Sequence, residues 1–90
     1  MKLQAIRETG GGRTATINGD FDYIKSKLGE PNVTDIDDYD KVKASWGFMD
    51  EEQRKVFVWC YKQSTRSCRG WSADGDKGLL QEIFGANLEF

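Results

Sequence analysis

Ninety residues are enough for one core and no second, and at this length folding removes only roughly 60–65% of the surface that the unfolded chain exposes. Hydrophobic residues make up 38% and aromatics 12%, with three Trp, three Tyr and five Phe, which excludes a disordered tail or a collagen-like repeat. The chain has no histidine, so the commonest general base, the imidazole metal ligand and the Ser-His and Cys-His nucleophiles are absent, and a formal charge of −2 suits neither a duplex binder nor a heavily acidic mimic of DNA.

In chain order, Met1 to Glu8 contains no apolar h-region, and the longest uncharged apolar run, Val56 to Tyr61, is far too short to span a membrane. Leu3, Ala5 and Arg7 alternate with Gln4, Ile6 and Glu8, a period of two that predicts an opening strand. Gly10-Gly11-Gly12 then allows the chain to reverse, and Arg13 to Ile17 returns as the second strand of an N-terminal hairpin. Asn18-Gly19 breaks that strand. Asp20 caps a helix over about residues 20–28, with Phe21, Ile24 and Leu28 on one face and Gly29 and Pro31 as its stop.

Residues 32–40 carry Asp35, Asp37, Asp38 and Asp40 with almost no apolar periodicity, which predicts a solvated loop. Val42, Ala44, Trp46 and Phe48 then share one face of a strand and Lys43, Ser45 and Gly47 the other. Asp50 to Arg54 is a polar turn, and residues 55–62 pair back as an antiparallel partner. In that partner Phe57, Trp59 and Tyr61 oppose Val56, Val58 and Cys60, so both faces need cover and the strand belongs at the centre of its sheet. Gln63 to Gly70 is a polar connection, and Trp71 opens a short edge strand. Asp76 caps a last helix with Leu79, Leu80, Ile83 and Phe84 as its buried stripe and Gly85 as its end. The expected fold is α+β, a single domain over residues 1–90 with an antiparallel sheet of about four to five strands and two helices packed mainly on one face.

Little of this chain looks reactive. Cys60 and Cys68 have seven residues between them and no second pair, the wrong spacing for a zinc knuckle, and without an export signal they are expected as free thiols in a reducing compartment. Cys60 lies in an apolar strand and reads as core, not as a nucleophile. The aspartates at 35–40 fail the calcium-loop pattern, because Tyr39 stands where a ligand belongs and the glycine and terminal Glu are missing. Gly10-Gly11-Gly12 is followed by no Gly-Lys-Ser/Thr, so it reads as a flexible turn, and Asp74-Gly75-Asp76 as a turn and helix cap. No metal, cofactor or catalytic residue is expected, and the chain reads as a binding protein, not an enzyme.

The informative set is aromatic and basic. Trp46, Trp59, Tyr61 and Trp71 lie near Lys41, Lys43, Lys62, Arg66 and Arg69 in sequence. Aromatic faces stack on nucleobases at roughly 1–3 kcal/mol each while Arg and Lys hold phosphates. The same rings are also what fills the core of a small sheet-and-helix protein, and Trp59 is read as core.

Ile24 to Asn32, then Asp40 to Trp46, then Val58 to Lys62, then Trp71 with Gly75 before the last helix, form a series that resembles a group of small proteins encoded by bacteriophages and large DNA viruses. The likeness covers roughly residues 20–84 and rests on a helix closing on Leu-Gly-Glu-Pro, a strand with Ser-Trp, and a strand ending in Tyr-Lys. Ser72 stands where that pattern has His, and Asp74 replaces the first of two glycines, which counts against a phosphate-binding role for that turn.

The resemblance implies a phage accessory protein in the infected host cytoplasm, and by analogy of origin and size a host-defence antagonist. The leading expectation is sequestration of a small phosphorylated ligand, such as a cyclic oligonucleotide immune signal, in a pocket completed between subunits of a homo-oligomer. Tyr61 and Trp71 would stack on bases, and Lys41, Lys62, Arg66 and Arg69 would hold phosphates. The alternative is an anti-CRISPR-type protein–protein inhibitor that turns Asp35, Asp37, Asp38 and Asp40 with Asp50, Glu51 and Glu52 toward a basic surface.

Overall fold

A computed structural model describes residues 2–37, 42–61 and 70–90. Among these residues six strands form one antiparallel sheet: β1 (Gln4–Ala5), β2 (Ala15–Asn18), β3 (Val42–Met49), β4 (Lys55–Tyr61), β5 (Gly70–Gly75) and β6 (Leu88–Glu89), in the spatial order β1-β3-β4-β5-β2-β6. Two helices, α1 (Phe21–Leu28) and α2 (Lys77–Phe84), complete the expected α+β fold. No helix among the described residues is long and apolar enough to cross a membrane.

Both helices start and stop on the residues that local chemistry selects. Asp20 accepts from the backbone N–H of Tyr23, and Asp76 from that of Leu79, each satisfying a donor that the first turn of a helix leaves open. Gly29 and Gly85 close them.

The strand alternation places Trp46, Val58, Ala73 and Ala15 side by side across β3, β4, β5 and β2. Ile24 and Leu28 of α1 and Leu79, Leu80, Ile83 and Phe84 of α2 bury this face. At its centre the Trp46 and Trp71 rings meet edge to face at 5.3 Å, with Phe21 at 5.8 and 6.0 Å from them. That arrangement adds a specific aromatic contribution to the burial of large apolar area. Each indole N–H is satisfied inside, Trp46 Nε1 by the Gly29 carbonyl at 2.8 Å and Trp71 Nε1 by the Gly19 carbonyl at 3.1 Å.

Four local expectations are corrected. The N-terminal strands are not a hairpin: β1 pairs with β3 through Gln4↔Met49 and Ala5↔Phe48, whereas β2 pairs with β5 and β6. Between them the chain crosses the sheet on the side away from the helices, and Gly10 lies against Trp59 and Phe57. Gly10 to Gly12 do not take the positive φ that Gly19, Gly29, Gly75 and Gly85 adopt; at Gly10 the requirement is close approach, since a Cβ there would stand 2.9 Å from Trp59 Cζ3. Second, β5 is not an edge strand but lies between β4 and β2, so Trp71 is interior. Third, the acidic loop is not wholly solvated, because Val33 is completely buried and its N–H bonds to the Ser45 carbonyl at 3.2 Å. Fourth, Cys60 is disulfide-bonded, not a free thiol; Cys68 lies outside the described residues.

The sixth strand, β6, has only two residues and no alternation long enough to announce it. It seals the β2 side of the sheet through Thr16↔Glu89 and Ile17↔Leu88.

Trp71→Ala is expected to lower unfolding free energy by about 3–5 kcal/mol, while Trp71→Phe, which keeps a ring but loses the bond to Gly19, costs about 1–2 kcal/mol. Urea denaturation followed by far-UV circular dichroism measures both.

Candidate functional site

Of the two rings expected to stack on a ligand, the described one, Trp71, is not on the surface. Trp71 has no exposed area and Trp46 only 1%, so neither presents a ring face to a ligand; the assignment of Trp71 as a stacking residue is corrected. The physical reason is its position, alternating inward on an interior strand beneath both helices. Trp59 is 7% exposed, in keeping with a core role, though on the opposite side of the sheet. Lys41, Lys62, Arg66 and Arg69 lie outside the described residues, as does the ring of Tyr61.

The acidic set divides in two. Asp35 accepts from both terminal nitrogens of Arg7, at 3.0 and 2.8 Å, and Asp37 accepts from the Ser45 hydroxyl at 2.8 Å. Asp37 therefore helps to fasten residues 32–37 along the outer edge of β3, while Asp35 ties the same loop to the segment that follows β1. Asn32 adds bonds from its amide nitrogen to the Ile6 and Gly47 carbonyls and takes the Gly47 N–H on its oxygen. Asp38 and Asp40 lie outside the described residues.

The second group gathers at the other end of β3, on the order of 13 Å further along the extended strand from Ser45 to Met49. Here Asp50 organises the β3–β4 turn. Its Oδ1 accepts from the backbone N–H groups of Glu52 and Arg54 at 3.0 and 2.9 Å, and its Oδ2 accepts from Arg54 Nε at 2.7 Å. The Asp50 side chain is 4% exposed, so it is a turn-builder and not a contact residue. Burial alone would push its carboxyl up, but the backbone N–H of Arg54, the guanidinium and the N–H of Glu52 together hold it below the ordinary carboxylate range.

Glu51, Glu52 and Glu82 remain at the surface around this turn. Arg54 Nη2 reaches Glu82 Oε2 at 3.0 Å, and Arg54 Nε lies 3.4 Å from Glu52 Oε2, while Glu51 accepts from the backbone N–H of Lys2 at 3.2 Å. A depression of about 230 Å³ is lined by Asp50, Glu51, Glu52, Arg54 and Glu82: four carboxylates and one guanidinium, a net formal charge of −3. A second, of about 400 Å³, adjoins it through Asp50 and Glu51 and is lined also by Lys2, Leu3, Gln4 and Met49. Glu82, contributed by α2, is a member that sequence reading missed, because only the packing of α2 beside the turn brings it there.

Among the described residues no group of three or more His, Cys, Asp or Glu side chains is arranged to hold a metal ion. No protein-family model matches the chain, and neither the characterised proteins nor the solved structures contain a match to it.

Asp35, Asp50 and Asp74 are all held below the ordinary carboxylate range in the folded chain. A depressed folded value stabilises the native state above the unfolded pKa of about 3.9, and this stabilisation is lost as pH falls through the folded value. Thermal melts are therefore expected to fall steeply below about pH 4, and Asp50→Asn, which removes one of these groups, to flatten that acid limb while lowering the melting temperature at pH 7.

Proposed function

We propose that this chain is a non-enzymatic binding protein that engages a basic surface of another macromolecule through the carboxylate-rich end of its sheet. The observation that carries the reading is the convergence of Glu51, Glu52 and Glu82 on one concave surface above a buried, fully hydrogen-bonded Asp50. The buried carboxylate pins the turn that carries Glu51 and Glu52, and α2 carries Glu82 beside it, so the three glutamates are presented from hydrogen-bonded backbone instead of from an unfastened loop. Fixed complementary charge accelerates encounter and selects orientation more than it adds affinity.

On the viral resemblance, the partner class is a host-defence protein with a nucleic-acid-binding surface, and the chain acts as an antagonist of the anti-CRISPR type. Sequestration of a cyclic oligonucleotide is the less favoured reading, because Trp71, one of its two stacking residues, is interior. Asp35 and Asp37 are poor probes of the favoured reading, since both are engaged in holding their own loop in place.

The test is interferometry of the chain against purified CRISPR effector complexes, alongside calorimetric titration with cyclic di- and trinucleotides. The expected result is effector binding that weakens roughly tenfold or more in Glu51→Lys/Glu52→Lys and on raising salt to about 0.5 M, chiefly through a slower on-rate. Binding heat with a cyclic nucleotide, unchanged by the double substitution, would overturn it.

A further inference from the structure

The chain between β1 and β2 is fastened to the sheet by its backbone at two ends, Ile6 N–H to the Gly47 carbonyl at 3.1 Å and Thr14 N–H to the Ala73 carbonyl at 2.8 Å. In the middle it is held by one side chain. Asp74 Oδ2 accepts from the backbone N–H groups of Gly11 and Gly12, at 3.1 and 3.3 Å, and its Oδ1 accepts from the Thr14 hydroxyl at 2.7 Å. Successive backbone N–H groups converging on an oxyanion form an anion-holding nest. The occupant here is the chain's own carboxylate, projecting from β5.

At the β1 end the Asn32 amide also donates to the Ile6 carbonyl at 3.2 Å and Arg7 donates to the Asn32 carbonyl at 3.1 Å, and the ion pairs that fasten the segment are on the surface. Arg7 pairs with Asp35 with both side chains more than half exposed, and Lys55 pairs with Glu8 at 2.9 Å with both side chains about half exposed. Exposed pairs of this kind contribute little to holding a segment down. Residues 7–9 and 11–13 are themselves exposed, whereas what lies beneath is apolar: Gly10 rests on Trp59 and Phe57. Trp59 is flanked across the ladder by Ser45 on β3 and Ser72 on β5, whose small side chains leave its ring covered from above by the crossing chain.

We propose that residues 6–14 are a hinged strap and that Asp74 is its latch, so that releasing the latch uncovers Trp59 and Phe57 as an aromatic platform on the side of the sheet away from both helices. The segment has the marks of a low-stability opening unit: exposed backbone, three consecutive glycines and few buried apolar side chains. Closed, the segment leaves Trp59 only 7% exposed; open, it bares the indole face.

The experiment is hydroxyl-radical footprinting with peptide mass spectrometry, together with amide hydrogen exchange, on the intact chain and its Asp74→Ala variant. Trp59 oxidation and exchange at residues 9–13 should rise roughly tenfold or more, since hydrogen bonds to a charged acceptor are the stronger class. Trp46 and Trp71, on the helix side, should stay as protected as in the parent. Gly10→Ala keeps the Asp74 carboxylate but places a methyl 2.9 Å from the Trp59 ring, 3.0 Å from Phe57 Cβ and 3.2 Å from Asp74 Cβ, pushing the segment off the sheet, and should raise Trp59 oxidation in the same selective way. Unchanged protection of Trp59 in either variant, or a parallel rise at all three tryptophans, would overturn the proposal.

Discussion

The structure is organised by the need to bury both faces of β4. Val56, Val58 and Cys60 point one way and Phe57 and Trp59 the other, and a strand of that composition is stable only with something packed above and below it. On one side α1 and α2 supply a continuous apolar layer around the Trp46–Trp71 pair. With both helices on that side, the other is covered by a strap of extended chain. The crossing of residues 6–14 from one flank of the sheet to the other follows from this, and so does the wide separation of β1 from β2. Gly10 stands where backbone meets indole, with no room for a side chain between them.

Much of the acidity serves the fold. Asp20 and Asp76 cap the helices, Asp50 builds the β3–β4 turn, Asp74 holds the strap, Asp37 binds a loop to the edge of β3 and Asp35 ties that loop to Arg7. A short carboxylate accepting from backbone N–H groups is an efficient way to fix a turn or helix end in a chain too small for a large core. Glu51, Glu52 and Glu82 differ in that they lie exposed at the rim, Glu52 and Glu82 beside the Arg54 side chain and Glu51 on the backbone N–H of Lys2, and their exposure leaves them available to a partner.

The helices and the β3–β4 pair were legible because their determinants are local. An Asp three residues ahead of the N–H it accepts and a Gly at the close are readable without knowing the fold, and so is alternation such as Val56–Tyr61. The N-terminal segment misled for the complementary reason. Its period of two correctly marks extended chain, but the partners of Gln4 and Ala5 are Met49 and Phe48, and nothing between Leu3 and Ile17 encodes that. Trp71 was misjudged by the same route: the side chain suits either stacking or packing, and only its strand's neighbours β4 and β2 decide between them. The burial of Asp50, and the arrival of Glu82 beside it, likewise depend on how α2 lies against the turn.

The outermost pairing of the sheet has a kinetic consequence. Thr16 and Ile17 meet Glu89 and Leu88, so on that side β2 is enclosed by residues 73 and 71 positions further along the chain. During synthesis the strand emerges long before the segment that will flank it, and its other neighbour, β5, also comes late. Closing such distant loops must precede the contacts that reward them, which slows folding relative to a helical protein of equal length. Closure of this sheet therefore waits until Leu88 and Glu89 have been synthesised.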